Sequence, residues 1–315
     1  MATTTKSSKA KTKTSKAKKS APPAKSVKTS KKTTSAKVTK KDTAKVVSKS
    51  TTKTTIKSPN NPTSALTKLY SISVAVYVAI AGAAFFLMNN ASYQLSVGYW
   101  GKDQLKSVNG TQFAPATQGI VDIEVKWIVM ALAIASLVLP ILYLTKLKAE
   151  NEKSLKNKIM PSRWIEMAFL SAIMIETVGI LSGVLDIATL KVMGALMVVT
   201  MILGWIAEKR TAKVGGAAVR EYYLSVLTGL LPWVIIASYA FFTMFYGELR
   251  SQWFVYVLYG IMLIGAALIG RHQLSSLKGE GKLSSYEAVE QKYATLSLVL
   301  RTTFAVVLIV GFLAK

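Results

Sequence analysis

Cysteine is absent from the 315 residues, which excludes disulfides and thiolate metal sites and says nothing further about compartment. Histidine occurs once, as His272. No phosphate-binding loop, metal-ligand cluster or nucleophile–base pairing can be assembled, so an enzyme is not expected. Acids are scarce, 15 against 40 basic residues, for a formal net charge of +25. Residues 1–60 hold no arginine, no aromatic side chain and one acid, Asp42.

What fills those sixty residues is 18 lysines among Ser, Thr and Ala, with Pro22-Pro23, so +17 of the charge lies there. Such a segment buries too little apolar surface to offset backbone entropy, and a disordered tail over 1–62 is expected. Its length also sets it apart from the short basic start of a cleavable signal peptide. The rest of a chain that is 51% hydrophobic carries only +8.

Seven apolar runs follow, each near the roughly 20 residues that cross a bilayer. They lie at about Leu66–Met88, Trp127–Leu147, Trp164–Leu185, Leu190–Ala207, Tyr223–Tyr246, Trp253–Gly270 and Tyr293–Leu313. The runs are continuous rather than alternating, which indicates helices and not barrel strands. An all-α membrane domain, a seven-transmembrane-helix bundle over 63–315, is therefore expected. Lysines 146, 148, 153, 156 and 158 follow the second run. Lys209, Arg210, Lys213 and Arg220 follow the fourth, and Arg271, Lys278 and Lys282 the sixth, while the alternate loops are nearly neutral. The positive-inside rule then places the tail and basic loops in the cytoplasm and the C-terminus outside a cell membrane.

The outer loop, 89–124, contains Tyr93-Gln94-Leu95-Ser96-Val97-Gly98-Tyr99-Trp100, which reads as a short strand or hairpin. Asn90 and Asn109 head glycosylation sequons, which are common by chance. Pro140 and Pro232 should kink the second and fifth helices. Ser136, Ser171, Ser182, Thr200 and Ser238 read as polar contacts between helices. His272, at the end of the sixth run, is expected to be solvated.

Three charges stand within the runs. Glu166 and Glu176 lie on the third, ~15 Å apart in depth and ~80° apart around the helix. Arg301 lies ~12 Å into the seventh, between the carboxylates in depth, and its stem could reach either. An intramembrane charge is seldom kept without a partner or a use. Two uses stay open, an ion pair that fixes how the third and seventh helices pack, and a proton or ion pathway through Glu166 and Glu176.

The motifs resemble the heliorhodopsins. Arg163-Trp164-Ile165-Glu166 is similar to that family's Arg-Trp-x-Glu start of its third helix. Asp186, Thr189, Leu190, Met201, Gly204 and Glu208 fall at family-like spacing, as do Gly229, Pro232-Trp233 and Phe254-Val255-Tyr256. The stretch from Gly281-Lys282 through Tyr286, Glu290 and Tyr293 to Leu296-Ser297-Leu298-Val299 resembles the approach to the family's last helix. The resemblance covers about 66–315. It implies a cytoplasmic N-terminus, a light-sensing or partner-regulating role rather than robust pumping, and a strand pair in the outer loop that helps the protein dimerise.

It also implies a retinal site, with Glu166 at the counterion position and Ser136, Glu176 and Trp233 among the cofactor-binding candidates. In that family the residue two beyond Leu-Ser-Leu-Val is the lysine that forms the Schiff base. Here it is Arg301, whose guanidinium stays protonated and supplies no free amine. The family's polar-cavity histidines are missing too, with Tyr77, Val78, Ser136 and Pro140 in their neighbourhood. Lys126, Lys191 and Lys315 sit at outer helix ends and cannot substitute.

The resemblance thus implies a sensor or regulator without covalent retinal, in which non-covalent retinal or another apolar ligand remains compatible. Its partners would be the membrane, a second copy, a cytoplasmic protein, and anionic lipid or nucleic acid through the tail. The alternatives are a photoreceptor holding retinal non-covalently, a proton or ion conductor, and a membrane tether for nucleic acid or lipid.

Overall fold

A computed structural model describes residues 62–102, 113–146, 148–216, 218–246, 252–279 and 285–313. The lysine-rich tail, Asn109, Glu248, Arg250, Gly281, Lys282 and Lys315 lie outside the described residues.

The order is α1 (Pro62–Leu87), β1 (Ser92–Lys102), β2 (Phe113–Glu124), α2 (Val125–Thr145), α3 (Lys148–Lys156), α4 (Pro161–Leu181), α5 (Ile187–Val214), α6 (Val219–Tyr246), α7 (Trp253–Lys278) and α8 (Tyr286–Leu313). Among the described residues, seven helices (all but α3) are long and apolar enough to cross a membrane. Successive long helices pack side by side and α8 returns to α1, which closes a seven-helix transmembrane bundle. α4 is the most enclosed helix and α6 the least, with Leu227, Val234, Phe241 and Phe245 exposed as lipid-facing side chains would be.

β1 and β2 pair antiparallel, Ser92 opposite Glu124 and Lys102 opposite Phe113, with an irregularity between Leu95 and Ser96. This hairpin marks one end of the bundle, and the basic loops mark the other. Ser96 N donates to Leu185 O at 2.9 Å, tying the hairpin to the turn between α4 and α5. Gly183 makes that turn at φ +92°, a conformation that side chains with a Cβ rarely adopt.

Asp186 then caps α5, its Oδ2 accepting from Thr189 N and Thr189 Oγ1, each at 2.7 Å. The Thr189 hydroxyl, followed by the Thr189 amide, holds the Asp186 carboxyl below its ordinary value. The stabilisation is therefore present above the unfolded value of about 4 and lost as pH falls through the lower folded one. Asp186→Ala should cost about 1 kcal/mol at neutral pH. Thermal unfolding of both proteins near neutrality and in acid checks this: the gap should shrink in acid.

The main apolar core occupies the hairpin half, where Ala84, Val129, Ile175, Met193, Leu258, Phe304 and Leu308 are buried together. Smaller clusters sit toward the basic end, one around Leu66, Tyr70, Tyr143, Leu155 and Met160, another around Ala207, Ala218, Tyr222 and Leu277. The basic segment after the second apolar run reads as a loop, yet it forms α3, because Asn151 and Leu155, four residues apart, turn one buried face inward. Of the serines and threonine expected to join helices, Ser171, Thr200 and Ser238 instead bond carbonyls of their own helices. Ser182 does cross, meeting Tyr259 Oη at 2.7 Å, whereas the buried Ser136 Oγ has no hydrogen-bond partner among the described residues.

Candidate functional site

A stripe of polar residues runs down α8 at helical spacing: Tyr286, Glu290, Tyr293, Ser297 and Arg301. Steps of three and four residues keep all five on one face. Because that face meets α1 and α4, these residues are enclosed rather than lipid-facing, and each charged one finds an opposite charge.

Arg301 Nη1 donates to Glu166 Oε1 at 2.7 Å, and both side chains are largely buried. The Tyr77 hydroxyl, from α1, also faces the guanidinium. Tyr77 thus fills part of the neighbourhood for which the sequence offered Tyr77 and Val78, whereas Val78 points outward and is exposed. Glu176 does not join: it pairs with the exposed Lys191 across to α5, at 3.1 Å. The long stem could have reached either carboxylate, and it meets Glu166.

A second charged cluster lies nearer the basic end. The buried Arg163 donates to Glu290 Oε1 through Nη1 and to Glu208 Oε1 through Nη2, the latter at 2.7 Å. Glu208 also accepts from Trp164 Nε1 and, at 2.6 Å, from Tyr286 Oη. The Arg163 guanidinium further lies over the Tyr293 ring, 4.1 Å from its centroid. One cation is thus held between two carboxylates, with aromatic faces replacing water around it. Gly204 permits the arrangement, since a Cβ there would come within 2.6 Å of the Trp164 ring.

In the sequence Arg163, Glu208, Tyr286 and Glu290 stand apart as single motif residues, and nothing in their order joins them into a cluster. Their signal was the α8 stripe, which continues beyond the apolar run. His272, expected to be solvated, is buried beside this cluster. Its Nε2 lies 3.0 Å from Val289 O and its ring 4.5 Å from that of Tyr293, because α7 continues two turns past Gly270 and carries His272 inward.

Two cavities meet at Arg301. A small polar one, about 30 Å³, lies between the ion clusters and is bounded by Tyr70, Tyr77, Arg163, Glu166, Glu290 and Arg301. A larger one, about 460 Å³, is lined mostly by apolar side chains from α4 to α8, including Met174, Met197, Trp233 and Met262, with Arg301 on its wall. No lysine is among its lining residues. Trp233 stands where a ligand would touch it, edge-on to Tyr259. Glu176 and Ser136, both expected at a cofactor pocket, line neither cavity.

The family model for heliorhodopsin matches residues 40–313. The chain belongs to the heliorhodopsin family. No match is found among curated proteins. As a heliorhodopsin it is a multi-pass membrane protein of a photoreceptor-like family for which retinal is the expected ligand. Retinal links to protein by imine formation with a primary amine, and this heliorhodopsin presents a guanidinium at the cavity wall instead. The volume and apolar lining fit a ligand of that size class; the donor set does not fit a covalent link.

Proposed function

We propose that this heliorhodopsin is a membrane sensor or regulator that retains the family's ligand cavity and no longer binds retinal covalently, Arg301 standing in the place of the linking lysine. The observation that carries the reading is Arg301 on the wall of the 460 Å³ cavity, ion-paired with Glu166 at 2.7 Å and with no lysine lining the space. Glu166 would keep the role of counterion, now to a permanent cation rather than to a protonated imine. The charge pattern of the site survives and its light-driven proton chemistry does not.

In this reading the tail and basic loops face the cytoplasm, where protein partners, anionic lipid or nucleic acid can reach them. Eighteen lysines would attract lipid headgroups by about 1 kcal/mol each close to the surface. The hairpin, with Tyr99, Trp100 and Ile120 exposed, would serve a homodimer on the other side.

A second reading is favoured by the same cavity, a photoreceptor holding retinal non-covalently. Incubation with all-trans retinal, borohydride reduction and intact-mass measurement tests both. The natural chain should gain no retinyl adduct. An adduct would overturn the proposal, while a visible band without an adduct would establish the second reading.

A further inference from the structure

Arg301 does more than close one ion pair. A guanidinium carries five N–H donors in a planar fork, and here Glu166 accepts through Nη1 at 2.7 Å, which engages only part of it. The same side chain forms part of the wall of the larger cavity. The chain shows elsewhere what a buried guanidinium does with such capacity, for Arg163 holds Glu208 and Glu290 at once. Arg301 has one carboxylate on its protein side and an apolar space on the other.

That space has the shape of an answer. Its lining is dominated by Met, Leu, Ala and aromatic side chains, with five methionines, at 167, 174, 197, 201 and 262, able to adapt to an irregular apolar body. Ala266 and Ala267 of α7, both exposed, are also in the lining, so the cavity reaches the helix surface where α6 and α7 pack sparsely. An amphiphile dissolved in the bilayer could pass there without crossing water.

We propose that the cavity binds a long-chain carboxylate, its headgroup on Arg301 opposite Glu166 and its hydrocarbon body among the methionines. The proposal rests on the reading that Arg301 has ended covalent retinal binding. A carboxylate is favoured over an alcohol or aldehyde because only an anion forms a charge-assisted, bidentate contact with the guanidinium fork. An aldehyde has no amine to react with, and an alcohol leaves the cation without a second anion.

Quenching of tryptophan fluorescence reads the binding directly, since Trp164 and Trp233 line the cavity. The purified natural chain is titrated with all-trans retinoate and all-trans retinol, which share a skeleton and differ in headgroup. Retinoate should bind at least about tenfold more tightly. Arg301→Gln should bring the ratio near one, and Arg301→Lys, which keeps a cation, should preserve much of it. Ser171→Phe, which fills the cavity from α4, should weaken both ligands together.

Palmitate competition distinguishes the sources. Displacement of retinoate points to any long-chain carboxylate, its failure to a retinoid-shaped one, and both agree with carboxylate recognition. Equal affinities for retinoate and retinol in the natural chain would overturn the proposal, as would a preference unchanged in Arg301→Gln. If Arg301→Gln does not fold, the natural chain and Arg301→Lys still decide. A chain that shows no retinoate preference and stays colourless with retinal sinks this inference alone, whereas a covalent retinal pigment sinks the reading beneath it.

Discussion

Arg163→Met should destabilise the bundle by about 3–5 kcal/mol, because it strands Glu208 and Glu290 in an enclosed layer with no cation between them. Net stabilities of folded proteins are typically about 5–15 kcal/mol, so this single change should leave little folded protein. The comparison with Arg210 makes the point about burial. Arg210 also pairs with a carboxylate, Glu221, but its side chain is 59% exposed, and Arg210→Ala should cost less than about 1 kcal/mol.

The loss in Arg163→Met comes from uncompensated charge and not from a missing strong bond. The triple variant Arg163→Met, Glu208→Gln, Glu290→Gln should therefore recover most of the stability. Thermal unfolding of the four proteins in detergent, followed by circular dichroism, measures this. An Arg163→Met protein as stable as the natural chain would show that the cluster contributes nothing to holding α4, α5 and α8 together.

The fold was legible because its signal is crude and repeated. Seven apolar runs of bilayer length need no tertiary information, and each one appears as a helix. The ends of the helices were not legible for a related reason. An apolar run stops at the first cluster of polar residues, but α5, α7 and α8 include the buried Glu208, Gln273 and Glu290, the glutamates paired with Arg163 and Gln273 bonded to Gly204 O. Pairing makes polar residues compatible with a buried helical turn, and pairing is a property of two chain segments, not of one. Measured from Tyr286, where α8 begins, Arg301 lies ~22 Å along the helix.

The candidate site divides along the same line. Arg301 and Glu166 stood out individually as charges in apolar runs, and the structure joins them at 2.7 Å. Choosing between Glu166 and Glu176 required knowing how α4 is rotated against α8, which periodicity on either helix does not state. Lys191 settled Glu176's place from the end of α5, a residue that reads as an ordinary helix-end cation. Tyr77 and Trp233 carried no signal of their own beyond resemblance, since one aromatic residue in an apolar helix resembles another.

Restoring the amine at position 301 should produce the largest functional change available to this chain. Arg301→Lys keeps a cation opposite Glu166, removes a group that cannot form an imine, and places a primary amine on the wall of a cavity of about 460 Å³. Glu166, already aimed at that position, would hold the proton of the new imine by its negative charge. The measurement is absorption after reconstitution of the natural chain and Arg301→Lys with all-trans retinal, followed by hydroxylamine. A visible band that hydroxylamine bleaches is expected in Arg301→Lys, and none in the natural chain. A hydroxylamine-sensitive band in the natural chain, or a colourless Arg301→Lys that is otherwise folded, would contradict it.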